Sequence, residues 1–157
     1  IVHGGDRFLA HRHLTPDALA HLETLEHLAP LHQRAALTVA RHAMLKAPSV
    51  PHVACFDTVF HQTQPALATT YALPRRFTRA GIRRYGFHGL SYESIAGQLA
   101  VIDPQGRCGR VIVAHLGAGC SMCAMEKGIS IATTMGFSTL DGLMMATRSG
   151  TIDPGVL

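Results

Sequence analysis

A chain of 157 residues is long enough for one ordinary domain or for parts of two. With 47% apolar and 15% charged residues it is core-forming material, which excludes a disordered tail, and no apolar run is long enough to cross a bilayer. The net charge of +4 comes from 12 Arg and only 2 Lys, scattered among few aromatics, so no nucleic-acid-binding stripe is present.

In chain order, Thr15 reads as an N-cap with Pro16 at the first helical position and Asp17 near the positive end. Leu19, Leu22, Leu25 and Leu28 then recur at near-helical spacing, predicting a helix over 15–29 that Pro30 stops. A second helical pattern runs from Arg34 to Lys46 and carries Leu37, Ala40, Met44 and Leu45. VPHVACFD, residues 50–57, reads as a short buried strand ending in a carboxylate. A short helix is expected around 66–71. The Arg75, Arg76, Arg79, Arg83 and Arg84 cluster reads as a solvated face. IRRYGFHG, residues 82–89, is strand-like, and Ser91 is positioned to cap a helix running to about Val101. Three strands follow in quick succession, RVIVAHLG, CSMCAMEKG and ISIATTMG, separated by Gly-Ala-Gly and by Lys127-Gly128 as hairpin signals. LDGLMMATRSG closes the pattern as a further helix. This order implies an α/β fold with a mixed sheet.

The stretch VIVAHLGAGCSMCAMEKG, residues 111–128, holds two competing signatures. A structural zinc site needs four ligands, and Cys120 and Cys123 have no second pair, because Cys55 and Cys108 are singletons. A redox Cys-x-x-Cys belongs at a helix N-terminus, whereas alternation here predicts a strand on which positions 120 and 123 face opposite sides. Both cysteines therefore read as small core residues, no metal site is expected, and sparse cysteine usage suits a reducing, cytoplasmic setting. The eleven histidines, His11 and His13 included, bring no carboxylate or thiolate pair at ligand spacing.

The glycine signature fares better. His115, Leu116, Gly117, Ala118 and Gly119 lie between two strands, where a tight turn can aim backbone N–H groups at an anion. Phosphoryl transfer needs cations around the moving group and a carboxylate for the metal or the nucleophile. Asp57 after VACF, His88 in YGFHG and Arg148 in TRSG sit at strand ends or glycine turns, where a rigid sheet holds catalytic groups. Each also has an ordinary reading: a turn cap, a satisfied buried histidine and a surface ion pair.

Taken together, VHGGDRF, LAPLH, FDTVFHQTQP, YALP, RRYGFHGLS, AHLGAGCSMCA and TTMGFSTLDGLMMATRSGTIDP resemble the blocks of the acetate kinase family, in that family's order and over nearly the whole chain. The resemblance implies a ribonuclease-H-like fold of the sugar-kinase, Hsp70 and actin group, here incomplete. Residues 1–58 would end the first domain, and 59–157 would begin the second, nucleotide-phosphate-binding domain. The chain opens on Ile1 without an initiator Met and is expected to continue past both ends. It also implies ATP, magnesium and a short carboxylate such as acetate as the chemistry, giving an acyl phosphate and ADP. The full-length chain would be a homodimer, with no nucleic-acid or membrane partner. By the same resemblance Asp57 is the catalytic carboxylate, and His88 and Arg148 stabilise charge on the phosphoryl in flight. Residues 115–119 take the nucleotide phosphates. His32 is an active-site histidine, and Val2, Leu31 and Phe87 wall the methyl of the acyl group.

Four positions depart from the family's pattern. Ala118 stands where an Asn is frequent in the phosphate turn, and Thr139 stands where a Pro commonly lines the acyl pocket. Gln33-Arg34 replaces Asn-Pro after LAPLH, and Tyr92 replaces a frequent His. Thr139 bears on acyl chain length, so propionate is an alternative substrate, since a methylene is worth only ~1–3 kcal/mol to an apolar slot. A nucleotide-binding relative without turnover is the alternative from another class, and the isolated piece is expected to be inactive.

Overall fold

A computed structural model describes every residue from Ile1 to Leu157, and the chain divides into two units, Ile1–Val59 and Phe60–Leu157. No helix is long and apolar enough to cross a membrane.

In the first unit, β1 (Arg12–His13) pairs antiparallel with β2 (Val53–Ala54), and α1 (Pro16–Glu23) and α2 (Gln33–Lys46) pack against each other. The α1 cap is the expected one: Thr15 Oγ1 accepts from the Ala18 N–H at 3.2 Å. Leu19 and Leu22 join Phe8, Leu14, Leu37, Ala54 and Phe56 in one core. The helix stops six residues short of Ala29, however. The Thr24 hydroxyl donates back to the His21 carbonyl at 2.7 Å, a bond that competes with helical propagation, and a 3₁₀ turn at Glu26–Leu28 replaces the last stretch. The expected strand over 50–57 shrinks to two residues. Pro51 has no N–H to give a ladder, and the Phe56 N–H goes to His11 Nδ1 at 3.2 Å instead.

Gln33, fully buried at the start of α2, clasps the N-terminal segment. Its Oε1 accepts from the His3 N–H at 3.0 Å, and its Nε2 donates to the His3 carbonyl at 2.9 Å.

The second unit is built on a meander, β3 (Arg110–Leu116), β4 (Cys120–Glu126) and β5 (Ile129–Thr133), all antiparallel. Ahead of it lie α3 (Ala66–Thr69), α4 (Arg75–Arg79), α5 (Gly89–Ile102) and α6 (Pro104–Cys108). Lys127 and Gly128, at φ 52° and 74°, make the two-residue hairpin that the sequence predicts. Along β4, Ser121, Cys123 and Met125 are buried, and Cys123 and Met125 form a core with Tyr92 and Ala96 of α5. The two cysteines do point to opposite faces. Only Cys123 is in the core; Cys120 is half-buried and its thiol donates to the Gly117 carbonyl at 3.1 Å.

Four local expectations fail here. Residues 82–89 form no strand, because Gly86 and His88 take positive φ of 73° and 58°, and the Tyr85 and Gly86 N–H groups both turn to the Gly136 carbonyl. Residues 140–150 form no helix but a closed loop: the Ala146 N–H reaches out to Ala118 O, the Met145 N–H bonds Arg148 O, and the Thr151 N–H closes the loop on Gly142 O. Ser91 is not the cap of α5. His88 is, without a side-chain cap bond, and Ser91 lies inside the helix with its hydroxyl on His115 Nδ1 at 3.0 Å. The short helix expected to reach Tyr71 ends at Thr69.

Candidate active site

His88 has the left-handed backbone, at φ 58° and ψ 21°, that few non-glycine residues adopt and that costs on the order of 1 kcal/mol or more. Its neighbours hold it there. The preceding carbonyl, Phe87 O, accepts from His61 Nε2 at 2.9 Å, and the His88 carbonyl accepts the Tyr92 N–H at 3.1 Å. Because Phe87 O can only accept, His61 carries its proton on Nε2, and its Nδ1 accepts, with Ser130 Oγ at 2.9 Å and Gln64 Nε2 at 3.3 Å. Burial pushes the His61 pKa down to about 4, against a smaller upward pull from the Phe87 carbonyl. Gly86 is required beside it: a Cβ there would lie 2.6 Å from the His61 ring and from the Thr133 methyl.

The His88 ring stacks on His115 with centroids 4.0 Å apart and 19° between planes. Its Nδ1 lies 2.8 Å from Ser121 Oγ, which also bonds the Tyr92 hydroxyl. Its Nε2 faces the turn between β3 and β4. A Cβ on Gly119 would sit 3.3 Å from His88 Nε2 and 3.0 Å from Arg148 Nη2, so imidazole and guanidinium meet over that glycine. The turn does not present all of its amides, since the Gly117 N–H closes onto the Gly119 carbonyl at 3.1 Å.

Arg148 reaches the turn from the loop over 139–151. Its Nη1 donates to the Thr139 carbonyl at 2.8 Å, and no carboxylate pairs with it, which leaves donors for an anion. Asp141 staples that loop. Its Oδ1 accepts from the Gly142 N–H at 2.9 Å and from the Thr151 hydroxyl at 2.7 Å, and its Oδ2 from Arg84 Nη1 at 2.8 Å. Burial alone would raise the Asp141 pKa, but the Thr151 and Gly142 bonds and the Arg84 charge outweigh it and bring the group below the usual carboxylate value.

The structure thus gathers His88, His115, Gly119, Arg148 and Thr139 of the second unit, with Gly117 and Ala118 in the same turn. Leu116 ends β3 with its side chain exposed. Phe87 is 1% exposed, held in the core. In the first unit, Asp57 stands half-buried just after β2, Val2 is half-buried, and Leu31 and His32 are exposed at the start of α2. Sequence reasoning missed Ser121, Ser91, His61 and Ser130. Ser121 had a faint signal, a polar residue on the apolar, inward register of β4.

The acetokinase family model matches residues 1–157. This chain belongs to the acetokinase family. Among its relatives, the acetate kinase of Rhodopseudomonas palustris strain ATCC BAA-98 / CGA009 is 54% identical over 100% of this chain and 40% of its own length. That of Nitrobacter hamburgensis is 52% identical over 100% of this chain and 39% of its own. A crystal structure of a propionate kinase from Francisella tularensis superposes with a TM-score of 0.92 at 44% identity, over 99% of this chain and 41% of that one. An acetate kinase from Entamoeba histolytica gives 0.90 at 38% identity, over 99% and 40%. The ribonuclease-H-like α/β expectation holds for this portion of the acetokinase fold. The mixed sheet does not, since every strand pair is antiparallel. The chain spans 40% of the length of the first relative it matches.

Proposed function

We propose that the protein carrying this chain is an acetate kinase, moving the terminal phosphoryl group of ATP reversibly onto acetate to give acetyl phosphate and ADP. The observation that carries this reading is the meeting of His88 Nε2 and Arg148 Nη2 over Gly119. A carboxylate approaching a phosphoryl group meets charge repulsion, so donors fixed around the equatorial oxygens do most of the catalytic work. A guanidinium held by the Thr139 carbonyl can bond those oxygens without reacting, and the imidazole adds a directed donor beside it. In the in-line step an acetate oxygen forms the new O–P bond as the bond to the ADP oxygen breaks.

In the same reading His115 to Gly119 take the nucleotide phosphates, and Asp57 organises the acyl substrate and the metal-nucleotide. Val2, Leu31, His32, Phe87 and Thr139 serve the acyl group. Magnesium is compatible with these residues. No group of three His, Cys, Asp or Glu gathers to hold an ion alone, and magnesium commonly takes one or two protein carboxylates and completes its shell from waters and phosphates. Asp57 would hold it, and the ion would offset phosphate charge. A cytoplasmic homodimer of full-length chains belongs to the same proposal, and the four free cysteines suit a reducing compartment. The isolated 157 residues are inactive in this reading.

Propionate is the second substrate reading. It is favoured by Thr139 in the acyl-side loop and by the likeness to a structure described as a propionate kinase. Hydroxylamine trapping of acyl phosphate, on the full-length chain with Mg-ATP and acetate, propionate or butyrate, tests both. Trapped product is expected, and the acetate-to-propionate ratio ranks the two acids. Folded protein that binds ATP but yields no acyl phosphate would refute the reading.

A further inference from the structure

Which nitrogen of His88 carries the proton decides what it offers an anion over the turn, and the buried hydroxyls behind it fix the answer. Tyr92 is fully buried and its hydroxyl has a single hydrogen-bond acceptor, Ser121 Oγ. Its proton must then go to Ser121 Oγ, because a buried hydroxyl proton without an acceptor is costly. Ser121, also fully buried, thereby has its oxygen engaged as an acceptor, and its own proton goes to the remaining partner, His88 Nδ1 at 2.8 Å. Were Nδ1 protonated, Ser121 would receive two donors and its hydroxyl hydrogen would face no acceptor.

The geometry points to Tyr92 and Ser121 as positioning residues that hold His88 as the neutral tautomer with its proton on Nε2, aimed at the Gly119 turn beside Arg148. This rests on the kinase reading for its consequence but not for its observation. His88 then supplies a directed hydrogen bond, and Arg148 supplies the full positive charge. Tyr92 suits the first place in such a relay. Burial raises its pKa above the usual phenol value, so it keeps its proton throughout the neutral range, which a histidine at that position would not do. Tautomers are set by the partner of the other ring nitrogen in the same way at many functional histidines.

The test is long-range proton–nitrogen spectroscopy of histidine-labelled full-length chain near pH 7.5, with the His88 ring assigned by its loss in His88→Gln. The expected spectrum is a neutral ring protonated on Nε2. In Tyr92→Phe, which keeps the packed ring, and in Ser121→Ala, that signature gives way to a mixture of tautomers. In the same two variants kcat falls about tenfold, the effect of losing one orienting hydrogen bond, while KM for ATP stays within twofold. A wild-type ring protonated on Nδ1 or on both nitrogens, or an unchanged spectrum in both variants, would overturn the assignment. Because the spectrum is read without turnover, failure of the kinase reading would show separately, as absence of acyl phosphate from wild-type protein with the Nε2 tautomer intact.

Discussion

Arg148 divides its guanidinium between two tasks: Nη1 is committed to the Thr139 carbonyl, and Nη2 stands at Gly119. A side chain anchored on one edge presents the other at a fixed angle, which matters most when charge is redistributing on a phosphoryl group. For the full-length chain, Arg148→Ala is expected to lower kcat by about 10²-fold or more while KM for ATP changes only a few-fold. Arg148→Lys should recover little, since an ammonium cannot hold the carbonyl and present a second planar donor. Steady-state kinetics on both variants check this, and equal effects on the two constants would make Arg148 a ground-state binding group. At this scale the motifs named residues that the structure brings together at the Gly119 turn, His88, His115 and Arg148. The hydroxyls behind them carry no motif, because Ser121 becomes significant only when β4 turns it towards His88.

At the scale of elements, the β3–β4 turn and the 139–151 loop depend on close approach. Gly119→Ala would place a methyl 3.0 Å from Arg148 Nη2 and 3.3 Å from His88 Nε2. Both contacts are with the ends of side chains, so unfolding stability should stay within about 1 kcal/mol while activity falls with the displaced donors. Chemical denaturation and trapping of acyl phosphate on the same preparation separate the two effects. The loop's staple has its own signature. Asp141 titrates below its unfolded value, so its contribution is present above the unfolded pKa and disappears as pH falls through the folded one. Asp141→Asn should therefore destabilise the protein at pH 7, and the difference from wild type should shrink on acidification below the ordinary carboxylate range. A difference that stays constant down to the lowest pH that keeps the protein folded would mean the carboxylate charge is not what holds the loop. The meander and α2 were legible because strict alternation and near-helical spacing survive packing. The strand expected over 82–89 and the helix over 140–150 were not, since the Tyr85 and Gly86 amides go to Gly136 O and the Ala146 amide to Ala118 O, partners that no local pattern reveals.

For the molecule as a whole, each unit buries one neutral histidine. His3 in the first and His61 in the second both have pKa values pulled down to about 4, chiefly by burial, with His27 adding repulsion at His3. Unfolded, each would bind a proton near 6.5, so the unfolded chain takes up protons first as pH drops. Stability is therefore full above about pH 6.5 and falls between 6.5 and 4, by roughly 3 kcal/mol for each histidine over the whole range. Urea denaturation of the full-length chain as a function of pH should show this decline, and His61→Gln should flatten part of it. A stability that holds level from pH 7 to 4.5 would show that both rings are charged in the folded protein.

By itself the sequence determined the family, the meander with its Lys127-Gly128 hairpin and the capped start of α1. These depend on local chemistry: periodicity, capping and short runs whose side chains and glycines must stay together. Only the tertiary structure decided that His88 takes a left-handed backbone under His61, that Arg148 hangs from the Thr139 carbonyl, and that Tyr92 and Ser121 stand behind the His88 ring. Most of those contacts join residues far apart along the chain, and a buried hydrogen bond takes its direction from whichever partners packing leaves within reach.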